Sequence, residues 1–342
     1  MKTGIVKDRR YMEHNMGSFH VENPQRLDVI YRMIDGEISF PYVEIEPREA
    51  HQEEIEMIHS SSYIQTIKET SGKDRVILDP DTATSSRSYQ VALLAAGGLL
   101  KALDFIMDQK VSSAFALVRP PGHHAEASRA MGFCIFNNIA IGAQYLIKKY
   151  GLERVLIVDW DLHHGNGTQH SFDRRSDVLY FSTHQFPHYP GTGSWNETGS
   201  GQGEGFTVNV PLTGGKEDQD YLFIFKNILS PVASAYRPEF ILVSAGFDIH
   251  EADPLGGMRV SGNGFGALTS ELLSLAHQHC EDRILFTLEG GYDLQGLKEG
   301  VKQVLLHMAG EGIKPEIQAP ASVGLEKELA PVIKIQKKYW KI

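Results

Sequence analysis

Cysteine is scarce in this chain. Cys134 and Cys280 are the two present, and they form no Cys-x-x-Cys pair, which argues against a cysteine-held structural zinc. Such sparing use fits a reducing compartment. No apolar run stands out as long enough to span a bilayer. The opening stretch MKTGIVKDRRYMEH also lacks the apolar segment of a signal peptide. A cytoplasmic protein without membrane attachment is therefore expected. Positive charge is in deficit: 33 Lys and Arg stand against 43 Asp and Glu, a formal net charge of -10. That balance disfavours nucleic acid as the main partner, because phosphate binding needs a basic face. It is compatible with a cationic substrate, and equally with solubility alone. Internal repeats, low-complexity tracts and linkers are lacking as well, so one domain over residues 1–342 is expected. Residues 190–205 are glycine-rich. They lack the Gly-Lys-Ser/Thr ending of a phosphate-binding loop and read as a long surface loop.

The hydrophobic share of 42% and the charged share of 22% are ordinary for a globular protein. Short apolar runs predict buried strands at 114–118, 154–158, 178–182, 206–210, 240–244 and 284–288. Helical periodicity falls between most of them, at 87–108, 135–149, 218–236, 264–280 and 292–308. Alternation of this kind predicts an α/β fold, a mostly parallel sheet sandwiched between helices.

Four predicted strands run straight into polar or glycine-rich clusters. These are Arg119 to His124, Asp159 to Gly167, Ala245 to Asp248 and Glu289 to Tyr292. In an open parallel sheet, ligands bind beyond the carboxyl ends of the strands, so all four clusters would face one crevice. Residues two apart in an extended segment project to the same side, which puts Asp159, Asp161 and His163 on one face. Asp161 and His163 could bind one ion, with Asp248 arriving from another strand. Two carboxylates and one imidazole leave a position open for water, the layout of a catalytic zinc site. The oxygen-rich set would also accept Fe²⁺, Mn²⁺ or Co²⁺.

These residues resemble the zinc deacetylases of the arginase/deacetylase fold, the family of histone deacetylases and acetylpolyamine amidohydrolases. The matching motifs are RPPGHH, GFCIFNN, DWDLHHGNGTQH, PGTG, LVSAGFD, DPLGG and LEGGYDL, in the family's order, over about residues 8 to 308. The form DWDLHHGNGTQH is most similar to the class II branch, bacterial histone-deacetylase-like amidohydrolases included. The resemblance implies Asp161, His163 and Asp248 as zinc ligands. It implies His124 as the general base that later protonates the departing amine, and His123 as an electrostatic partner oriented by Asp159. Asn166 takes the second orienting position, where class I carries Asp. Tyr292 matches the catalytic tyrosine that hydrogen-bonds the substrate carbonyl. Phe133 and Tyr189 match the aromatic walls of the substrate channel, with Gly132 and Leu255 also substrate-binding. Asp81, or its neighbour Asp79, matches the rim carboxylate. Arg26 matches an arginine of an internal cavity for acetate exit. Ser182 and Thr183, with the Asp159–His163 segment, resemble one structural potassium site. Phe172, Arg175 and Val178 resemble a second.

The expected activity is removal of an acetyl or related acyl group from an amine nitrogen. Acetyl-lysine peptides or proteins and acetylated amines are the expected substrates. The polyamine-selective branch carries Glu where this chain has Leu255, and burying an ammonium against leucine without a partner costs free energy. Acetyl-lysine is therefore favoured over an acetylated polyamine. Two rivals differ in kind. An arginase-like dinuclear manganese hydrolase would need a Ser-x-Asp-x-Asp-x-x-Asp-Pro pattern, which is absent. A module that binds acyl-lysine without hydrolysing it would not need the metal set, both histidines and Tyr292 together.

Overall fold

The computed structural model describes residues 2–313 and 321–342. Its strands, in chain order, are β1 (Thr3–Val6), β2 (Tyr42–Glu44), β3 (Val76–Asp79), β4 (Thr82–Thr84) and β5 (Ser113–Ala116). They continue with β6 (Val155–Asp159), β7 (Val178–Gln185), β8 (Thr207–Leu212), β9 (Phe240–Ala245) and β10 (Ile284–Leu288). Eight of them form one sheet in the order β2-β1-β5-β10-β9-β6-β7-β8. Every neighbouring pair in it is parallel. β3 and β4 make a separate antiparallel hairpin.

All six strands read from apolar runs are present. Strands β5, β6, β9 and β10 are buried along their whole length, as expected of parallel strands covered on both faces. These four are also consecutive across the middle of the sheet. The four polar clusters follow these four strands, so they emerge side by side along one edge. β1, β2 and the hairpin were not anticipated. They are three or four residues long, and β2 and β3 are only partly buried, so their apolar signal is weak.

The predicted helices form with shifted ends. Asn137 accepts a hydrogen bond from the Ala140 amide and starts the helix at Asn138–Tyr150 rather than at 135. Asp293 does the same with the Gly296 amide, so the last predicted helix runs Leu294–Met308. Tyr292 therefore lies in the loop before that helix and not within it. The 218–236 segment is one continuous rod with a π-turn, Phe225–Leu229, between Asp218–Ile224 and Ser230–Tyr236. Helix Ser88–Met107 corrects the expectation about apolar runs. By length and composition alone it could cross a membrane, with a mean hydropathy of 1.5, but 72% of that window is buried inside the protein. It packs against β1, β5 and helix Asn138–Tyr150, so core burial accounts for its apolarity. The glycine-rich segment is irregular apart from a short turn at Gly201–Gly203, and a strand follows it.

Candidate metal and active site

β6 ends at Asp159, and the chain then loops back so that Asp161 and His163 meet Asp248, which follows β9. His163 Nδ1 lies 3.1 Å from Asp161 Oδ1 and 3.1 Å from Asp248 Oδ2. Ligands on one tetrahedral ion with bonds of ~2.0–2.2 Å sit about 3.3–3.6 Å apart, so a small outward movement would admit an ion. Backbone amides fix the acids. Asp161 accepts from His163 N and Gly290 N, both at 2.9 Å, and Asp248 accepts from Leu162 N at 2.9 Å. Among the described residues these three are the one set whose ligand atoms all lie within 4.8 Å. Their charges call for a cation. Burial opposes a proton on His163, yet the two carboxylates outweigh it and raise the ring's pKa to about 10. Burial and the neighbouring Asp161 push Asp248 up to about 7. A divalent ion would supply the positive charge that this group of ligands favours.

Gly290 closes in on this group. A Cβ on it would sit 2.3 Å from Asp248 Oδ2, so no side chain fits. Glu289, just before it, is wholly buried and accepts from Gly122 N at 2.7 Å and His123 N at 3.2 Å. It thereby ties the loop after β10 to the tandem histidines after β5.

The His123 and His124 rings lie with centroids 4.0 Å apart and planes tilted by 46°. His123 Nδ1 is 3.1 Å from Asp159 Oδ2, which also accepts from the Tyr180 hydroxyl. Burial disfavours charge on His123, but Asp161, Asp159 and Glu289 prevail and raise its pKa to about 10. His124 is the opposite case. Burial, then the charges of His123 and His163, hold it well below the usual imidazole range. Its Nδ1 lies 2.8 Å from Asn166 Oδ1. The surrounding acids thus favour charge on His123, while burial and the neighbouring rings disfavour it on His124. Gly132 covers His124 with φ +56°, and a Cβ there would come within 2.3 Å of the His124 ring.

A cavity of about 380 Å³ opens over this centre, lined by His124, His163, Phe133, Tyr189, Leu255 and Tyr292 among others. A larger hollow of about 570 Å³ beside helix Leu325–Gln336 has no acid or histidine in its lining. Chemistry rather than size marks the site. The Phe133 and Tyr292 rings meet edge to face at 5.8 Å, and Tyr189 stands edge-on to His124 at 5.1 Å. Burial raises the Tyr292 phenol well above its ordinary pKa despite the nearby Arg26, so it remains a proton donor. Asp81 borders the cavity, whereas Asp79 turns back to accept from the Asp81 amide at 2.9 Å. Of the two rim candidates, Asp81 is the one that lines the cavity.

Arg26 lies beneath Tyr292, its guanidinium 5.0 Å from the ring centroid. Each of its nitrogens is engaged: Nε with Gly291 O, Nη2 with Glu289 O and Nη1 with Glu22 Oε1. Its visible work is to clamp the glycine turn that carries Tyr292. The potassium candidates fall on β7 and on the turn before it. Thr183 Oγ1 is buried without a hydrogen-bond partner, Ser182 Oγ contacts His184, and Arg175 N donates to Phe172 O just before Val178 opens the strand. His164 points away from the metal group and bonds Thr192 and Gln169.

Several contributors were not foreseen. Glu22, Glu126, Asp253 and Glu289 all support site residues, and Asp253 accepts from the Tyr292, Asp293 and Leu255 amides. Glu126, Asp253 and Glu289 stand inside or beside a motif already noted, and Glu22 lies four residues before Arg26. The motifs carried the signal, but nothing in them names the partner, which for Glu289 and Gly122 is 167 residues away.

Comparison with known proteins identifies the family and the fold. Residues 20–308 match the histone deacetylase domain model. A probable deacetylase of Archaeoglobus fulgidus is 37% identical over 358 residues, covering all of this chain and 99% of that protein. Histone deacetylase 15 of Arabidopsis thaliana is 39% identical over 351 residues, covering 99% of this chain but 62% of that longer protein. Histone deacetylase HDA1 of Saccharomyces cerevisiae is 33% identical, and this chain spans 53% of it. The crystal structure of the HDA15 HD domain superposes with a TM-score of 0.93 at 38% identity, covering 99% of this chain and 97% of that one.

Proposed function

Because this chain belongs to the histone deacetylase family and is a hydrolytic deacetylase, we propose that it removes acetyl groups from lysine side chains in preference to polyamines. One observation carries the reading: His124, His163 and Tyr292 line a single cavity, and Asp161 and Asp248 both lie against His163. The ion is zinc in this reading, although the donor set alone would also take Fe²⁺. A divalent ion held there supplies a Lewis acid and an acidified water.

The chain's own residues do the rest. His124 Nε2 accepts the proton of the attacking water while its Nδ1–H stays anchored on Asn166. Tyr292 donates to the acetyl oxygen as charge gathers on it, and one such donor is worth ~3–4 kcal/mol in the transition state. The carbon–nitrogen bond breaks as His124 passes its proton to the amine, giving acetate and a free amine. His123, held cationic between acids, keeps the neighbouring His124 neutral and ready to accept. Phe133 and Tyr189 flank the stem of the substrate, and Asp81 meets its backbone at the rim. Structural potassium near Ser182 and Thr183, and near Phe172, Arg175 and Val178, belongs to the same reading, as does a cytoplasmic location.

Leu255 decides the substrate. It is partly buried at the cavity, where it offers a second ammonium no partner. The test is the ratio of kcat/KM for an acetyl-lysine peptide to that for N8-acetylspermidine. The ratio should exceed one in the wild type and fall at least about tenfold in Leu255→Glu, the size of one favourable charge contact. A wild-type preference for the polyamine would reverse the substrate assignment and leave the hydrolytic centre as described.

A further inference from the structure

Asn166 is bracketed by two groups of opposite demand. On one side its Oδ1 faces His124 Nδ1 at 2.8 Å. On the other its Nδ2 faces Glu126 Oε1 at 2.5 Å, with the His124 carbonyl at 3.3 Å. We propose that Glu126 is a positioning residue that, through Asn166, fixes which nitrogen of His124 carries the proton.

Donor and acceptor counting fixes the orientation of the Asn166 amide. An ionised carboxylate and a backbone carbonyl can only accept, so the amide NH₂ must face them. The amide oxygen is then left for His124, and an oxygen can only accept. His124 Nδ1 must therefore bear the hydrogen. The lone pair is left on Nε2, the nitrogen that has to take a proton from water. Glu126 is well placed to hold this arrangement. Its side chain is 20% exposed, and the same Oε1 accepts from His170 Nδ1 at 2.8 Å. His170, with Arg129 nearby, keeps the carboxyl ionised, against the effect of its burial. The arrangement also accounts for the residue type at 166. An aspartate there would press a second carboxylate against Glu126 at hydrogen-bond distance, which is strongly unfavourable. A neutral amide accepts from the histidine and donates to the glutamate at once.

This inference rests on the reading of His124 as the base, and the two can fail separately. The experiment compares Glu126→Ala in the wild type and in Asn166→Asp, measuring kcat, KM and bound zinc. In the wild type, Glu126→Ala should lower kcat about tenfold, with KM within about twofold and zinc retained. In Asn166→Asp, which alone should be impaired, the same change should raise kcat by about fivefold, a reversal that general loosening does not produce. Equal losses in both backgrounds would overturn the proposal. A second pair keeps the test open if Asn166→Asp does not fold. Glu126→Gln retains an acceptor oxygen and should keep most activity. Glu126→Lys presents only donors and should lose at least as much as Glu126→Ala. Equal activity of Glu126→Gln and Glu126→Lys would also overturn it. Full activity in His124→Ala would instead overturn the base assignment.

Discussion

Two buried charged clusters lie close together in this protein, and they differ in whether they are complete. Beneath Tyr292, Glu22 is paired with Arg119 and Arg26, and both guanidinium groups also donate to carbonyls, those of Tyr11, His14, Gly291 and Glu289. In that cluster every charged group already has a partner of opposite charge. At the cavity floor, Asp161 and Asp248 share a single imidazole, and every electrostatic effect on His163 from them favours a positive charge. Burying ions is costly unless they are paired and hydrogen-bonded. The first cluster meets that condition with its own residues and so supports structure. The second meets it only with an added cation, and that need makes it a site. Burial alone would not have told them apart, since the carboxylates of both are wholly buried.

The largest expected effect comes from removing an acid of the incomplete cluster. Asp248→Ala should lose bound zinc, by elemental analysis of the folded protein, and lower kcat/KM by on the order of 10⁴. Next comes Tyr292→Phe, which spares both clusters. It should keep zinc and the melting temperature while kcat falls about 10²–10³-fold. A loss under about threefold would reassign Tyr292 to packing.

The complete cluster should respond to acid instead of to chelators. Against the opposing effect of burial, Arg119 and Arg26 lower the Glu22 pKa from 4.5 to about 2. A carboxyl depressed in the folded state binds protons more readily when unfolded. Its contribution is therefore full above pH 4.5 and is lost as pH falls toward 2, about 3 kcal/mol in all. Denaturant titrations across that window should show this slope in the wild type and a flatter one in Glu22→Gln. The smallest effect belongs to His164→Ala. Its ring bonds Thr192 and Gln169 outside both clusters, so activity should change by less than about threefold while His124→Ala is severely impaired.

The sheet and the ligand set were legible in the sequence for one reason. Parallel strands buried on both faces read as unbroken apolar runs, and polar residues following such runs must lie at one edge. Asp161, His163 and Asp248 could be picked out from that alone. What was not legible depended on pairing across the chain or on weak local patterns. The grip of Glu126 on Asn166 spans 40 residues and that of Asp253 on the Tyr292 amide 39, and neither leaves a trace in spacing. The helix at 87–108 was legible, but its apolar length was not, because hydropathy alone cannot distinguish a core helix such as Ser88–Met107 from a spanning one. Periodicity at 292–308 does not reveal the Asp293 cap, which starts that helix two residues later, at Leu294.

The most direct test of the account measures bound zinc and acetate release on the same sample. Metal-free protein, confirmed as folded by circular dichroism, is titrated with zinc while an acetyl-lysine peptide is turned over. The account predicts that binding saturates at one catalytic ion per chain, with acetate release rising in proportion and absent at zero zinc. Asp248→Ala should show neither saturation nor release. Full acetate release from protein holding less than about a tenth of an ion per chain would contradict it, because the Asp161–His163–Asp248 group would then have no part in the chemistry.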